Sequence, residues 1–215
     1  MPLSISRRSA YSRAETVSDA AVHITGMALI ALAVPALIIL TTQIRSDAPA
    51  LVAVSVYGAA LAAMIFFSAL YNLNQTGPMR WLLRRLDHAA IYLKIAGTFT
   101  PFTLLSGQGA ALTVGLWGTA LLGVGLKLIS PSRWRWFTLA LYLGMGWGGV
   151  VAGQAIFAEL PWYVIALMAG GGGLYTIGVA FYLWEGLPFH YTIWHLFVLT
   201  ASLLFYTAVV LLVLL

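Results

Sequence analysis

The sequence predicts an all-α polytopic membrane protein, a bundle of seven transmembrane helices with a cytoplasmic N-terminus. Three observations carry that. The 215 residues are 61% hydrophobic and 8% charged, against about 25% charged in a soluble domain. Seven apolar runs reach the roughly 20 residues needed to cross a bilayer, at about 18–42, 50–72, 84–106, 109–130, 134–157, 161–184 and 192–214. The basic residues between the runs gather on one side.

The first run follows a polar, basic segment containing Arg7, Arg8 and Arg13, so the chain divides into a cytoplasmic tail, 1–17, and a transmembrane domain, 18–215. Ala31-Leu32-Ala33 resembles a signal-cleavage site. The apolar run continues to about Thr42, longer than a signal core of about 7–15 residues, and reads as a retained span. Runs 1 and 2 are joined by Ser46-Asp47-Ala48-Pro49, and runs 2 and 3 by Gln75-Thr76-Gly77-Pro78. Ser106-Gly107-Gln108-Gly109, Ser130-Pro131-Ser132, Leu160-Pro161 and Gly186-Leu187-Pro188 complete the turns, which leave no room for a second domain.

Arg7, Arg8 and Arg13, then Arg80, Arg84 and Arg85, then Lys127, Arg133 and Arg135 fall on one side, and Arg45 alone on the other. Nine against one places the N-terminus inside, the C-terminus outside, and the protein in the cell inner (plasma) membrane. Membrane lipids are the expected partners, with an amphipathic ligand between the helices. The small net charge of +5 gives no basis for nucleic-acid binding. The absence of cysteine removes disulfides, thiolate ligands and cysteine nucleophiles. Small residues, Gly144 with Gly148, Gly149 with Gly153, and Gly170 to Gly173 with Gly178, are expected at helix–helix contacts.

Ionisable groups inside a span are costly and mark function or pairing. The third run holds Asp87, His88 and Lys94. With the orientation above, four runs bring polar side chains to one cytoplasmic depth: Glu15, Asp19 and His23, then Ser68, Asn72 and Asn74, then Asp87, then His190, Tyr191 and His195. Glu15, Asp19 and His23 are four residues apart and share a helical face. The expected polar cluster is Glu15, Asp19, His23, Ser68, Asn72, Asp87, Lys94, Tyr191 and His195, organised around Asp87.

Arg84-Arg85-Leu86-Asp87-His88, followed by Ile95-Ala96-Gly97-Thr98-Phe99-Thr100-Pro101-Phe102, resembles the third-span signature of the haemolysin III family, part of the progesterone and adiponectin receptor superfamily. Glu15 with His23 resembles its first-span motif. Leu116-Trp117-Gly118 through Lys127, Tyr142 to Trp147, Gly173 to Gly178 and Trp194-His195-Leu196-Phe197-Val198-Leu199 resemble its later spans. The resemblance implies seven helices and a cytoplasmic-side zinc ion. Its ligands would be a histidine in Ser-x3-His and two histidines in His-x3-His, and a third-span aspartate would hold a zinc-bound water. It also implies amide-bond hydrolysis of lipids such as ceramides.

Carried onto this chain, that site is degenerate. Asn72 stands at the second-span histidine and Tyr191 at the first seventh-span histidine, while His195 and Asp87 are retained. His190 is rotated by about 100° from the expected position. Amide and phenol are weak zinc ligands, and catalytic zinc takes three protein ligands plus water. Lys94 is seven residues after Asp87 on nearly the same face and leans back toward it. The expected function is therefore a non-catalytic lipid-binding or membrane-modulating protein with no cofactor, in which Lys94 supplies the counter-charge to Asp87. The alternative is a zinc-dependent, ceramidase-like lipid amide hydrolase with altered ligands: Asp87 as candidate catalytic base, His195 with His190 or His23 as ligands, and His195, Asp87 and His190 as the metal candidates.

Other classes fit less well. The haemolysin label implies membrane perturbation, yet the spans carry no charged ring of the kind that lines ion pathways. The seventh run has no lysine for a retinal Schiff base. Ser68 has no histidine at hydrogen-bond spacing along the chain, and no Gly-x-Ser-x-Gly motif is present.

Overall fold

The computed structural model describes residues 12–45, 47–74, 76–130 and 134–215. The basic residues Arg7, Arg8 and Arg133 lie outside them. Among the described residues there are eight helices and no strand. They are α1 (Arg13–Ile44), α2 (Ala48–Leu73), α3 (Arg80–Leu105), α4 (Ala110–Ile129), α5 (Arg135–Ala152), the short α6 (Gln154–Ala158), α7 (Trp162–Leu183) and α8 (His190–Leu214). Five of them, α1, α2, α4, α7 and α8, are long and apolar enough to cross a membrane. In α3 the first fifteen residues hold Arg80, Arg84, Arg85, Asp87 and Lys94, which dilute its apolar character. The fifth run is divided at Gly153, where α5 ends and α6 begins.

Helix α1 starts five residues before the expected span. Ser12 and Glu15 form a capping box: Glu15 N–H donates to Ser12 Oγ at 3.2 Å, and Ser12 N–H donates to Glu15 Oε2 at 2.9 Å. Two of the orphan amides at the helix start are thereby satisfied. The other oxygen, Oε1, accepts from Phe189 N–H at 2.8 Å. Phe189 caps α8 from the left-handed region, at φ 60°. One carboxylate thus sets the start of α1 and ties it to the start of α8, 174 positions away.

Helix α3 is central, packed against α2, α4, α5, α6 and α8. Its buried Ala90, Tyr92, Ala96, Phe99 and Phe102 feed one hydrophobic core with Tyr57, Leu61 and Met64 of α2 and Val209, Leu212 and Val213 of α8. Where α2 and α3 come closest, a Cβ on Gly97 would lie 2.6 Å from Ala60 Cβ. Helix α1 packs on α2 and α8, and α7 on α8, so the chain ends meet. This brings the starts of α1, α3 and α8 and the end of α2 together.

Candidate functional site

Asp19 is the hub where those four helix ends meet. Its Oδ1 accepts from His195 Nδ1 of α8 at 2.6 Å, a charge-assisted length for a ring N–H on a carboxylate. Its backbone carbonyl lies 2.8 Å from His23 Nδ1, with Oδ2 at 3.7 Å. A carbonyl only accepts, so Nδ1 of His23 carries the proton and Nε2 is the acceptor. Two α2 donors face Nε2: Ser68 Oγ at 3.2 Å and Asn72 Nδ2 at 3.3 Å. Asn72 also donates to the Ser68 carbonyl at 2.9 Å. The His23 and His195 rings meet edge to face at 4.4 Å, and Tyr191 stacks on His195 at 6.3 Å. Asp87 is half-buried, and its electrostatic neighbours are His195, the Ser68 hydroxyl and Asp19.

The structure therefore brings Asp19, His23, Ser68, Asn72, Asp87, Tyr191 and His195 to one place. Three expectations change. Glu15 shares the helical face of Asp19 and His23, but its carboxylate is used at the α1 and α8 caps. Ser68 does have a histidine partner, supplied by α1 from 45 positions away. The Asp19 carboxylate is nearer His195 than His23, so no Ser-His-Asp relay is assembled. His190 is the first residue of α8, packed on the Tyr191 ring at 4.3 Å, and does not join Asp19, His23 and His195.

The largest correction concerns Lys94. Its ammonium does not turn back to Asp87; it donates to the Tyr175 hydroxyl of α7, which pairs with Ser202 Oγ of α8 at 2.7 Å. The Nζ atom also lies 4.2 Å from the Tyr175 ring centroid and 4.9 Å from that of Phe205. No ion pair joins Lys94 to Asp87 among the described residues. Seven helical residues put about 10 Å between the two Cα atoms, and two aromatic faces beside the amine capture it first. A cation buried without an anionic partner carries a desolvation cost that an apolar chain of similar length removes. Lys94→Met is therefore expected to fold with a melting temperature at or above wild type. A variant recovered only as aggregate would show the amine to be structurally required.

Asp19, His23 and His195 place their ligand atoms within 4.8 Å of one another, and Asp19 and His23 are buried. Catalytic zinc is held by three nitrogen or oxygen ligands at about 2.0–2.2 Å, which sets tetrahedral ligand atoms about 3.4 Å apart. The 4.8 Å limit on the present separations is about 1.4 Å wider than that spacing. By donor type the three residues, two imidazoles and a carboxylate, fit a divalent ion. Asp19 and His23 were visible as neighbours on one face. Depth alone grouped them with His195; the direct Asp19–His195 hydrogen bond, 176 positions apart along the chain, comes from the packing of α1 on α8.

Residues 11–206 match the sequence profile of the family described as haemolysin-III related. The chain belongs to that family. It is 37% identical over 200 residues to Hemolysin-3 of Bacillus cereus, covering 91% of this chain and 90% of that one. It is 34% identical over 193 residues to the Hemolysin-3 homolog of Bacillus subtilis (strain 168), covering 87% and 89%. It is 25% identical over 163 residues to the human monocyte to macrophage differentiation factor, covering 72% and 67%. Family membership and the five apolar helices make it a multi-pass membrane protein. Within a haemolysin III-related chain, the convergence of Asp19, His23 and His195 is the feature that bears on chemistry.

Proposed function

We propose that this haemolysin III-related protein is a membrane-embedded hydrolase acting on lipid amide bonds, with a divalent ion, zinc by donor type, held by Asp19, His23 and His195. The observation that carries the reading is the convergence of those three side chains within 4.8 Å at the helix ends. In this reading seven helices cross the inner membrane, α3 and α5 included, with the N-terminus and the site on the cytoplasmic side, as the basic residues of the loops favour. A bound divalent ion supplies Lewis-acid polarisation of a carbonyl oxygen.

The rest of the chemistry belongs to the chain. Asp87, beside Ser68 and His195, takes the proton from the attacking water as general base. The Ser68 hydroxyl and the Asn72 amide, already aimed at His23 Nε2, are donors that orient an incoming carbonyl. Tyr191, stacked on His195, holds that ring in place.

A second reading keeps the cluster metal-free and assigns it to binding the polar head of an amphipathic lipid. It is favoured by the protein partners already present on both nitrogens of His23 and on Nδ1 of His195. Elemental analysis of purified protein after mild dialysis, paired with turnover of a ceramide-type amide, separates the two. The hydrolase reading expects close to one zinc per chain and turnover, with both lost in His195→Ala. A metal-free protein whose melting temperature does not respond to added zinc would remove the metal reading and leave lipid binding.

A further inference from the structure

A groove of about 600 Å³ runs between α4 and α5, within the about 300–1,000 Å³ typical of small-ligand sites. It is lined by Leu112, Gly115 and Thr119 on one side and Leu141, Gly144 and Gly148 on the other. The sequence places Gly144 and Gly148 at a helix–helix contact, but nothing lies within 4 Å of where a Cβ on either would stand, nor on Gly115. This part of α5 therefore faces open space, while the neighbouring Gly149 packs against the Phe99 ring.

The same seam ends in a concentration of positive charge. Lys127 closes α4 and is 4% exposed, Arg135 opens α5, and Arg84 lies near the start of α3. Lys127 lies within electrostatic reach of both arginines. Arg135 also pairs with Glu185 at 3.0 Å. Arg135 Nε is buried without a hydrogen-bond partner and adds a donor to this end of the seam. Arg85 Nε donates to the Leu128 carbonyl at 2.8 Å and fixes α3 against the end of α4. Trp81, Trp134 and Trp136 are exposed around this end, the residue type that settles at headgroup depth.

We propose that this seam is a binding site for an anionic phospholipid, with the phosphate held at Arg84, Lys127 and Arg135 and one acyl chain lying in the groove between α4 and α5. At 1.5 Å per residue, Leu141 is about 9 Å along α5 from Arg135, and Thr119 about 12 Å along α4 from Lys127. The hydrocarbon therefore begins roughly a glycerol backbone away from the charges. Basic pockets between helices at the cytoplasmic face recognise lipid headgroups in this way. The site is separate from Asp19, His23 and His195, so it stands or falls apart from the hydrolase reading.

The test uses the full chain in mild detergent, with melting temperature and native mass spectra read against added phosphatidylglycerol, phosphatidylcholine or inorganic phosphate. Phosphatidylglycerol is expected to raise the melting temperature and to persist as a bound adduct, and the other two to do neither. Combining Arg84→Ala with Lys127→Ala is expected to weaken that response by about fivefold for each cation removed. Gly144→Leu extends into open space and is expected to fold normally, but to lose the adduct by filling the groove. Equal protection by phosphatidylcholine, equal protection by inorganic phosphate, or an undiminished adduct in Gly144→Leu would each overturn the proposal.

Discussion

Asp19→Ala is expected to lower stability by about 1–3 kcal/mol, the usual cost of leaving a buried hydrogen-bond donor without its partner. Asp19 is 6% exposed, and it is the only carboxylate hydrogen-bonded to His195 among the described residues, at 2.6 Å. Its loss leaves the His195 ring donor facing a cavity and frees α8 from α1 at that level. Asp19→Asn separates the structural part from the chemical part. Its amide oxygen still accepts from His195, so most of the stability is expected to return. On the hydrolase reading a carboxylate ligand is removed, and zinc content is expected to fall about tenfold or more. Chemical denaturation in detergent and elemental analysis on the three proteins check this. If Asp19→Ala melts within about 1 kcal/mol of wild type, the pair is not the hub of the site.

Gly97→Leu is the second large effect. Here two terms compete. Leaving glycine in a helix interior favours the folded state by about 0.8–1 kcal/mol. Against it, a Cβ at this position already meets Ala60 Cβ at 2.6 Å, with the Val56 carbonyl at 3.6 Å and Tyr57 Cα at 3.8 Å. The clash is with a methyl fixed to the backbone, which cannot swing aside, and the two backbone atoms already at contact distance leave no room behind it. Overpacking of this kind costs about 1–3 kcal/mol and more where backbone must move. The clash wins, and α3, the central helix, is displaced from α2. Gly97→Leu is expected to be poorly recovered as folded protein. Gly97→Ala is expected to be intermediate and to be relieved by Ala60→Gly. Strict additivity of Gly97→Ala and Ala60→Gly would mean that the two positions do not touch.

The contrast between Asp87 and Asp19 shows where reading along the chain stops. Asp87 stood out because it lies in an apolar run beside two arginines and a histidine. Asp19 and His23 were recognisable as one face, by the four-residue spacing of a helix. Nothing in either stretch says that α1 lies against α8. That contact is set by the packing of helices on the central α3 and by the Glu15 carboxylate bridging the two helix starts. Lys94 failed for a related reason. Its lean along α3 was read from helix geometry, but Tyr175 and Phe205 arrive from α7 and α8.

By itself the sequence determined that this is a helical membrane protein of the haemolysin III-related family, and nearly where each long helix runs. Hydrophobic length, turn residues and helix caps are local, and local terms are written residue by residue. Only the tertiary structure decided which polar groups meet. A buried donor takes whatever acceptor the neighbouring helix presents, and that neighbour is chosen by packing between segments up to 176 positions apart. So Asp19 holds His195, Ser68 faces His23, and the amine of Lys94 rests among aromatic rings.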